Sequence, residues 1–374
     1  MKVRLVLLAG ARPNFMKVAP LMAALASDER FENILVHTGQ HYDESMSGTF
    51  FRELGIPSPR HHLNAGSGSH AQQTSEVMRR LEPVLLAEQP DGVLVVGDVN
   101  STLAGALVAA KLGIPVIHAE AGLRSFDRSM PEEINRVATD AISDLFLVTE
   151  ESGRVNLLKE GKDPSRIALV GNLMIDSLQR NLAAALQSDI RDRLGIADGA
   201  FGLVTLHRPA NVDREEQLVE IVAALRVIAD QIPLFWAVHP RTRERLERAK
   251  IALGSSIHLL APLGYRDFLH LQAKSSVILT DSGGIQEEST VLGIPCLTLR
   301  ENTERPITVE SGTNRLAGTR KETILQAWRE NSESPKRGII PPLWDGLAGE
   351  RCREAIAGYF SSRAAAGHKE FSGA

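Results

Sequence analysis

The chain has 374 residues, of which 43% are hydrophobic, 24% charged and only 5% aromatic, with a formal net charge of -4. That length fits two domains with aliphatic rather than aromatic cores. The charge excludes nonspecific nucleic-acid binding, which needs a basic face, and two lone cysteines, Cys296 and Cys352, exclude a disulfide scaffold and point to a reducing cytoplasm.

The chain opens on a short apolar run, Val3–Ala9, followed by Arg12-Pro13 and a helical pattern, so it reads as a buried first strand rather than a secretory leader. No apolar stretch approaches the ~18 residues of a membrane span, so no membrane partner is expected. Further strands are expected at Ile34–His37, Gly92–Val96, Pro115–His118, Leu145–Val148 and Ile167–Val170. Helices at Pro13–Ala26, Ser69–Glu88, Ser101–Leu112 and Pro131–Ile142 separate them, with Pro13 and Pro131 suited to a first helical turn. The second half repeats the rhythm. Strands are expected at Phe201–Leu206, Leu234–Val238, Ile257–Leu260, Val277–Thr280 and Cys296–Thr298, with helices at Glu215–Ala229, Tyr265–Gln272 and Ile285–Leu292. The strands lack polar alternation, as expected when both faces of a sheet are covered. The alternation predicts an α/β protein of two Rossmann-like, doubly wound parallel-sheet domains facing a cleft. The first domain is placed at 1–172 and the second at 173–354, with the seam near Gly171–Ser177. The last helical stretch, Gly349–Ala364, has no strand after it, so about 355–374 is expected to rejoin the first domain.

Open α/β sheets bind ligands beyond the carboxyl ends of their strands, and the residues there carry the chemistry. After the first strand, Gly10-Ala11-Arg12-Pro13 and Lys17 offer cations at a helix N-terminus, where backbone amides add partial positive charge. The glycine spacing of a dinucleotide fingerprint is missing, so no nicotinamide cofactor is expected. The third and fourth strands end in Gly97-Asp98 and His118-Ala119-Glu120, placing two carboxylates in one crevice. Met130-Pro131-Glu132-Glu133-Ile134-Asn135-Arg136 opens a further acidic helix start. In the second half, His207-Arg208 and His239-Pro240-Arg241 follow strands. Ser282-Gly283-Gly284 makes a strand-to-helix turn whose free amides suit a pyrophosphate, with Glu288 placed for ribose hydroxyls and Arg305 as another phosphate partner. His61-His62 lacks zinc-ligand company, so no metal is expected.

Taken together, these segments resemble the non-hydrolysing UDP-N-acetylglucosamine 2-epimerase family. The resemblance rests on an ordered set: Gly-Ala-Arg-Pro at 10–13, Gly97-Asp98, His-Ala-Glu-Ala-Gly-Leu-Arg at 118–124 and Pro-Glu-Glu-Ile-Asn-Arg at 131–136. Thr-Leu-His-Arg at 205–208, Asp-Ser-Gly-Gly-Ile-Gln-Glu-Glu at 281–288 and Thr-Glu-Arg-Pro at 303–306 complete it, so that it covers nearly the whole chain. It implies a fold of the glycosyltransferase B type, no metal or other cofactor, and a cytoplasmic homodimer serving nucleotide-sugar metabolism and cell-envelope polysaccharide. It also implies inversion of carbon 2 of UDP-GlcNAc to give UDP-ManNAc, by elimination of UDP to 2-acetamidoglucal and re-addition. Asp98, Glu120 and Glu132 are then the acid/base candidates, and His207 assists the diphosphate. Arg12, Lys17, Arg124, Ser282, Gly283, Gly284 and Arg305 hold substrate, chiefly its phosphates; Glu288 holds the ribose, and Phe268 with the Tyr265 region holds the uracil.

The sequence also departs from the family. A Gln-His-Arg-x-Met pattern used for an activating second UDP-GlcNAc is here Gln40-His41-Tyr42-Asp43-Glu44-Ser45-Met46, which leaves Gln40, His41, Arg208 and His239 as candidates for that site. His207-Arg208 is followed by Pro-Ala-Asn, and relatives acting on UDP-2,3-diacetamido sugars share most of these motifs. A diacetamido-sugar epimerase, a hydrolysing epimerase and a non-catalytic UDP-sugar-binding protein therefore stay open as alternatives.

Overall fold

The computed structural model of the protein describes residues 2–10, 12–39, 51 and 53–371, and the side chains of all of these except 12, 13 and 366–371. The chain divides into two compact units, Met1–Ser177 with Pro342–Ala374, and Leu178–Pro341.

The first unit carries seven parallel strands in the order β3-β2-β1-β4-β5-β6-β7. They are β1 (Val3–Ala9), β2 (Phe31–His37), β3 (His61–His62), β4 (Gly92–Val96), β5 (Val116–Ala119), β6 (Leu145–Val148) and β7 (Ile167–Leu169). Every residue of β4, β5 and β6 is buried, which accounts for their unbroken apolar sequences; the edge strands β3 and β7 are not. The helices are α1 (Arg12–Ala26), α2 (His70–Glu88), α3 (Asn100–Lys111), α4 (Pro131–Ile142), α5 (Glu151–Lys159) and α6 (Leu173–Ala185), and α6 contains the division between the units. α2 forms where Ser69 and Gln72 close a reciprocal capping box at 3.3 and 3.1 Å. Its Val77, Leu81 and Leu85, spaced four apart, pack on Val6, Leu8, Val93 and Val95, each burial contributing about 1.5–3 kcal/mol.

The second unit repeats the topology with six parallel strands in the order β10-β9-β8-β11-β12-β13. These are β8 (Gly202–Thr205), β9 (Leu234–Ala237), β10 (Ile257–Leu260), β11 (Val277–Thr280), β12 (Cys296–Thr298) and β13 (Asn314–Leu316). Its longer helices are α7 (Glu215–Ala229), α8 (Pro240–Arg248), α9 (Tyr265–Lys274), α10 (Gly283–Leu292) and α11 (Lys321–Glu333). Val204, Trp236, Leu279 and Leu297 of the sheet meet Leu218, Val222 and Leu225 of α7 and Ile324 and Trp328 of α11. Strand order reverses between β1 and β4 in one sheet and between β8 and β11 in the other. Those are the points where open sheets of this kind leave a crevice.

The chain returns to the first unit through α12 (Ala348–Phe371), which packs against α1. The return begins at Pro342, ahead of the 355 read from sequence, because the preceding loop is already anchored. Trp344 is 1% exposed and donates from Nε1 to the Thr149 carbonyl at 3.3 Å. The amides of Ala348 and Gly349 donate to the Asp176 carboxylate at 3.1 and 2.7 Å, capping α12.

Candidate active site

In the first unit the strand ends are tight turns. β4 leads into Gly97, at a φ of 70°, and then Asp98; β5 leads into Glu120, whose φ of 69° is unusual for a residue with a side chain. Such backbone costs roughly 1–3 kcal/mol and persists only where its surroundings dictate it. Here the amides of Glu120 and Ala121 both donate to the Leu147 carbonyl at 2.9 and 3.2 Å. The amide of Gly122 donates to Asp140 Oδ2 at 3.0 Å. Gly122 has a φ of 80°, and a Cβ there would stand 2.3 Å from the Gly153 carbonyl oxygen, so only glycine fits.

Val96 pairs with Ala119 across β4 and β5, so Asp98 and Glu120 follow neighbouring strand ends. Each has its own cation. Arg136 on α4 donates to Asp98 Oδ2 from Nε at 3.0 Å and Nη2 at 2.8 Å, and Lys17 on α1 is ion-paired with Glu120. The Pro131–Arg136 segment supplies the scaffold for this arrangement. Asn135 Nδ2 donates to the Asp98 carbonyl at 2.9 Å, and Glu133 accepts the amides of Ser125 and Phe126, both at 2.9 Å. Glu132, in the first turn of α4, is partly exposed, and its carboxylate makes no hydrogen bond or ion pair among the described residues. Arg124, expected on the substrate, is instead 4% exposed and held by Asp140 and Glu160, both at 2.7 Å. Its guanidinium is spent on the scaffold because two carboxylates converge on it.

In the second unit His207 follows β8 and Asp281 follows β11, the two strands flanking the switch point, whose ends pair at Thr205 and Thr280. Asp281 is fully buried. It accepts the amides of His207 and Arg208 at 3.1 and 3.0 Å, accepts Asn211 Nδ2 at 3.1 Å, and meets His207 Nδ1 at 3.1 Å. Burial alone would raise its pKa, but the His207 ring and the two amides outweigh burial and hold the carboxyl below the ordinary carboxylate range. The His207 side chain is 54% exposed, and its Nε2 is bonded to no described residue. A carboxylate on one ring nitrogen orients the ring and leaves the other for a ligand.

Three guanidinium groups meet one carboxylate nearby. Glu304 Oε1 accepts from Arg305 Nη1 at 2.5 Å and Arg208 Nη2 at 3.2 Å, while Oε2 accepts from Arg300 Nη2 at 2.7 Å. Glu287 takes Arg305 Nε at 2.7 Å. Arg300 Nη1 is buried with no hydrogen-bond partner. Burial lowers the Arg300 pKa, and Arg208 and Arg305 add to that against the pull of Glu304. An unsatisfied buried donor of this kind costs about 1–3 kcal/mol, and an arriving anion would remove that cost. α10 begins alongside: Ser282 is its N-cap, and a Cβ on Gly283 would lie 2.4 Å from Arg305 Nη1. The glycine is required by that guanidinium. The first-turn amides of α10 have no intrahelical acceptors, so amides and guanidinium share one anion-seeking corner.

Glu288 is 3% exposed; its oxygens accept from Tyr265 Oη at 2.9 Å and Gln272 Nε2 at 2.8 Å. Burial raises its pKa to about 7 against those two hydrogen bonds, with Glu287 adding to the rise. Tyr265, expected near the uracil, is 5% exposed and its hydroxyl is committed to Glu288, so it positions that carboxylate. Phe268 is partly exposed and packs on the cluster around Phe201 and Leu271. Lys17, expected on phosphate, stands instead on Glu120.

Of the expected activator residues, Gln40 and His41 lie outside the described residues, as does the side chain of Arg12. Arg208 Nε donates to the Asp281 carbonyl at 3.0 Å, and His239 caps α8 by accepting the Arg241 amide at 3.3 Å. His61 pairs with Glu88 at 2.6 Å, and no described cluster of His, Cys, Asp and Glu is arranged to hold a metal ion. Sequence reasoning gave no role to Asp281, Arg300, Glu304 or Gln272. Arg300, two residues past β12, and Glu304, one and four residues from two of its arginine partners, were open to notice; Asp281 and Gln272 owe their roles to partners farther along the chain.

Two doubly wound sheets with chemistry-bearing groups at their strand ends define a protein of the glycosyltransferase B fold class. A family model described as UDP-N-acetylglucosamine 2-epimerase matches residues 23–357, and the chain belongs to that family. It is 44% identical over 358 residues to the UDP-N-acetylglucosamine 2-epimerase of Methanocaldococcus jannaschii, covering 93% of this chain and 97% of that one. The crystal structure of the Methanocaldococcus jannaschii UDP-GlcNAc 2-epimerase in complex with UDP-GlcNAc and UDP superposes with a TM-score of 0.89 at 42% identity, over 95% of this chain and 99% of that one. A Pseudomonas aeruginosa relative, UDP-2,3-diacetamido-2,3-dideoxy-D-glucuronate 2-epimerase, is 41% identical over 358 residues, covering 95% of this chain and 99% of that one.

Proposed function

We propose that the protein is an isomerase that interconverts UDP-GlcNAc and UDP-ManNAc. The observation that carries this reading is the pair of cation-held carboxylates, Asp98 with Arg136 and Glu120 with Lys17, at the ends of two adjacent strands. Inversion at a carbon needs a proton removed on one face and returned on the other, hence two separate groups. One carboxylate takes the carbon-2 proton; the C–H electrons form the C1=C2 bond, and the C1–O electrons leave with UDP. The second group, from among Asp98, Glu120 and Glu132, then protonates carbon 2 from the opposite face while a phosphate oxygen re-forms the bond to C1. His207, oriented by Asp281, and the corner formed by Arg305, Arg300 and the α10 amides stabilise the departing diphosphate. Glu288 holds the ribose, and Phe268 offers a face to the uracil.

Incubation with UDP-GlcNAc in heavy water, followed by proton NMR, tests the reading. The expected result is deuterium at carbon 2 and equilibration with UDP-ManNAc. Free ManNAc as the main product would show a hydrolysing enzyme, and UDP-sugar binding without exchange a sensor. The Pseudomonas aeruginosa relative supports a second reading, in which only a UDP-2,3-diacetamido sugar exchanges. A cytoplasmic homodimer is part of the same proposal. No helix among the described residues is long and apolar enough to cross a membrane, and sedimentation equilibrium gives the oligomeric state.

A further inference from the structure

We propose that His118 and Asp140 form a buried, proton-sharing wedge that sets the two carboxylate-bearing turns, making both positioning residues for proton transfer at carbon 2. The inference rests on the reading above and on contacts that reading does not use.

His118 lies in β5, is 0% exposed, and so cannot touch a substrate. Both its ring nitrogens face acceptors: Nε2 stands 2.8 Å from the Gly97 carbonyl and Nδ1 stands 2.6 Å from Asp140 Oδ1. A carbonyl only accepts, so Nε2 carries a hydrogen, and the short Nδ1 contact needs another. The other Asp140 oxygen accepts from the Gly122 amide at 3.0 Å and from Arg124 Nη2 at 2.7 Å, and Arg124 is held in turn by Glu160. Burial works against ionisation of Asp140, yet His118 and Arg124 outweigh it and keep its carboxyl below the ordinary range. Nδ1 and Oδ1 therefore share one proton across their short contact, while Nε2 donates to the Gly97 carbonyl.

Each end of the wedge holds one turn. Gly97 precedes Asp98, and its carbonyl is fixed by Nε2. Gly122 follows the left-handed Glu120 by two residues, and its amide is fixed by Asp140. The turns also touch: a Cβ on Gly97 would lie 3.3 Å from Glu120 Oε2 and 3.4 Å from Lys17 Nζ. A shift of the Gly97 peptide is thus passed directly to the Glu120–Lys17 pair. Displacements of about 1 Å at a reacting group are enough to cost about 100-fold in rate.

The test compares His118→Phe, Asp140→Leu and Asp140→Asn with the wild type. Phenylalanine keeps the ring volume but neither donor, and leucine removes both acceptors, so kcat for carbon-2 exchange should fall at least about 100-fold in each. KM for UDP-GlcNAc and the calorimetric Kd for UDP should stay within about threefold, because the wedge touches neither nucleotide nor sugar. Asparagine preserves the pattern: Oδ1 accepts from Gly122 and Arg124, Nδ2 donates to an unprotonated Nδ1, and Nε2 still reaches Gly97. Asp140→Asn should therefore retain kcat within about tenfold, a rescue that mere loss of folding would not produce. If His118→Phe or Asp140→Leu falls short of folding, the comparison of Asp140→Asn with the wild type still decides. In 15N-histidine-labelled wild type, a buried ring should show an Nδ1 hydrogen shared with the carboxylate, and Asp140→Asn should leave that nitrogen unprotonated. Unchanged kcat in His118→Phe, a loss confined to KM, or a collapse of kcat in Asp140→Asn would each overturn the proposal. Absence of exchange in the wild type would sink the epimerase reading instead, leaving the ring signature to be judged separately.

Discussion

Replacing Glu288 with Gln should make the second unit more stable, and more so as the pH rises. Glu288 has an ordinary pKa of 4.5 in the unfolded chain, and burial lifts it to about 7 in the folded protein. At acid pH both states hold the proton, and nothing is lost. As pH climbs past 4.5 the unfolded chain gains by ionising, whereas the buried carboxyl ionises only near 7, so stability is lost across that window and stays lost above it. The gap between 4.5 and about 7 corresponds to about 3 kcal/mol. Glutamine has no charge to bury. Its Oε1 accepts from Tyr265, and its amide has a waiting acceptor, since Gln272 Oε1 is buried without a partner and a flip of Gln272 presents it. Thermal unfolding at pH 5 and pH 8 measures the difference, in a Trp344→Phe background so that fluorescence reports Trp236 and Trp328 of the second unit. At roughly 2–4 °C per kcal/mol, Glu288→Gln should gain about 5–10 °C over its parent between the two pH values. Parallel melting curves across that range would refute the argument.

Asp98→Asn and Glu120→Gln should each slow carbon-2 exchange by about 100–10,000-fold while UDP affinity by calorimetry stays within a few-fold. Arg305→Ala should weaken UDP binding by about 10–150-fold, the loss of one charge-assisted phosphate contact worth about 1.5–3 kcal/mol. Arg300→Met should do the same to a lesser degree, and an unchanged Kd in either variant removes that residue from the phosphate site. Gly283→Ala should mimic Arg305→Ala, because its Cβ displaces the guanidinium. The double variant should then be no worse than Arg305→Ala alone, and simple addition of the two losses would disprove the coupling.

Where periodicity is a matter of burial, the sequence was enough. β4, β5 and β11 are short apolar runs because both faces are covered, and they fall where the runs fall. β3, two histidines, and β13, Asn-Arg-Leu, sit at sheet edges where burial imposes no such signature, and nothing local marked them. α6 begins inside the expected seam for a related reason: its helical pattern follows Gly171-Asn172, which reads as a break. The strand-end motifs were equally legible, since chemistry at those positions demands particular residue types. What each charged group pairs with was not, because pairing is decided by strand order. The crossover that places β8 beside β11 brings Asp281 to His207, 74 positions away, and the meeting of β12 and α10 with the Glu304–Arg305 segment gathers Arg300 and Arg305. The same is true of Tyr265, whose ring looked like a nucleobase platform until burial and Glu288 claimed it. Sequence alone determined which residue types stand at the strand ends; long-range packing, with its demand that every buried charge find a partner, decided which of them were left over for a ligand.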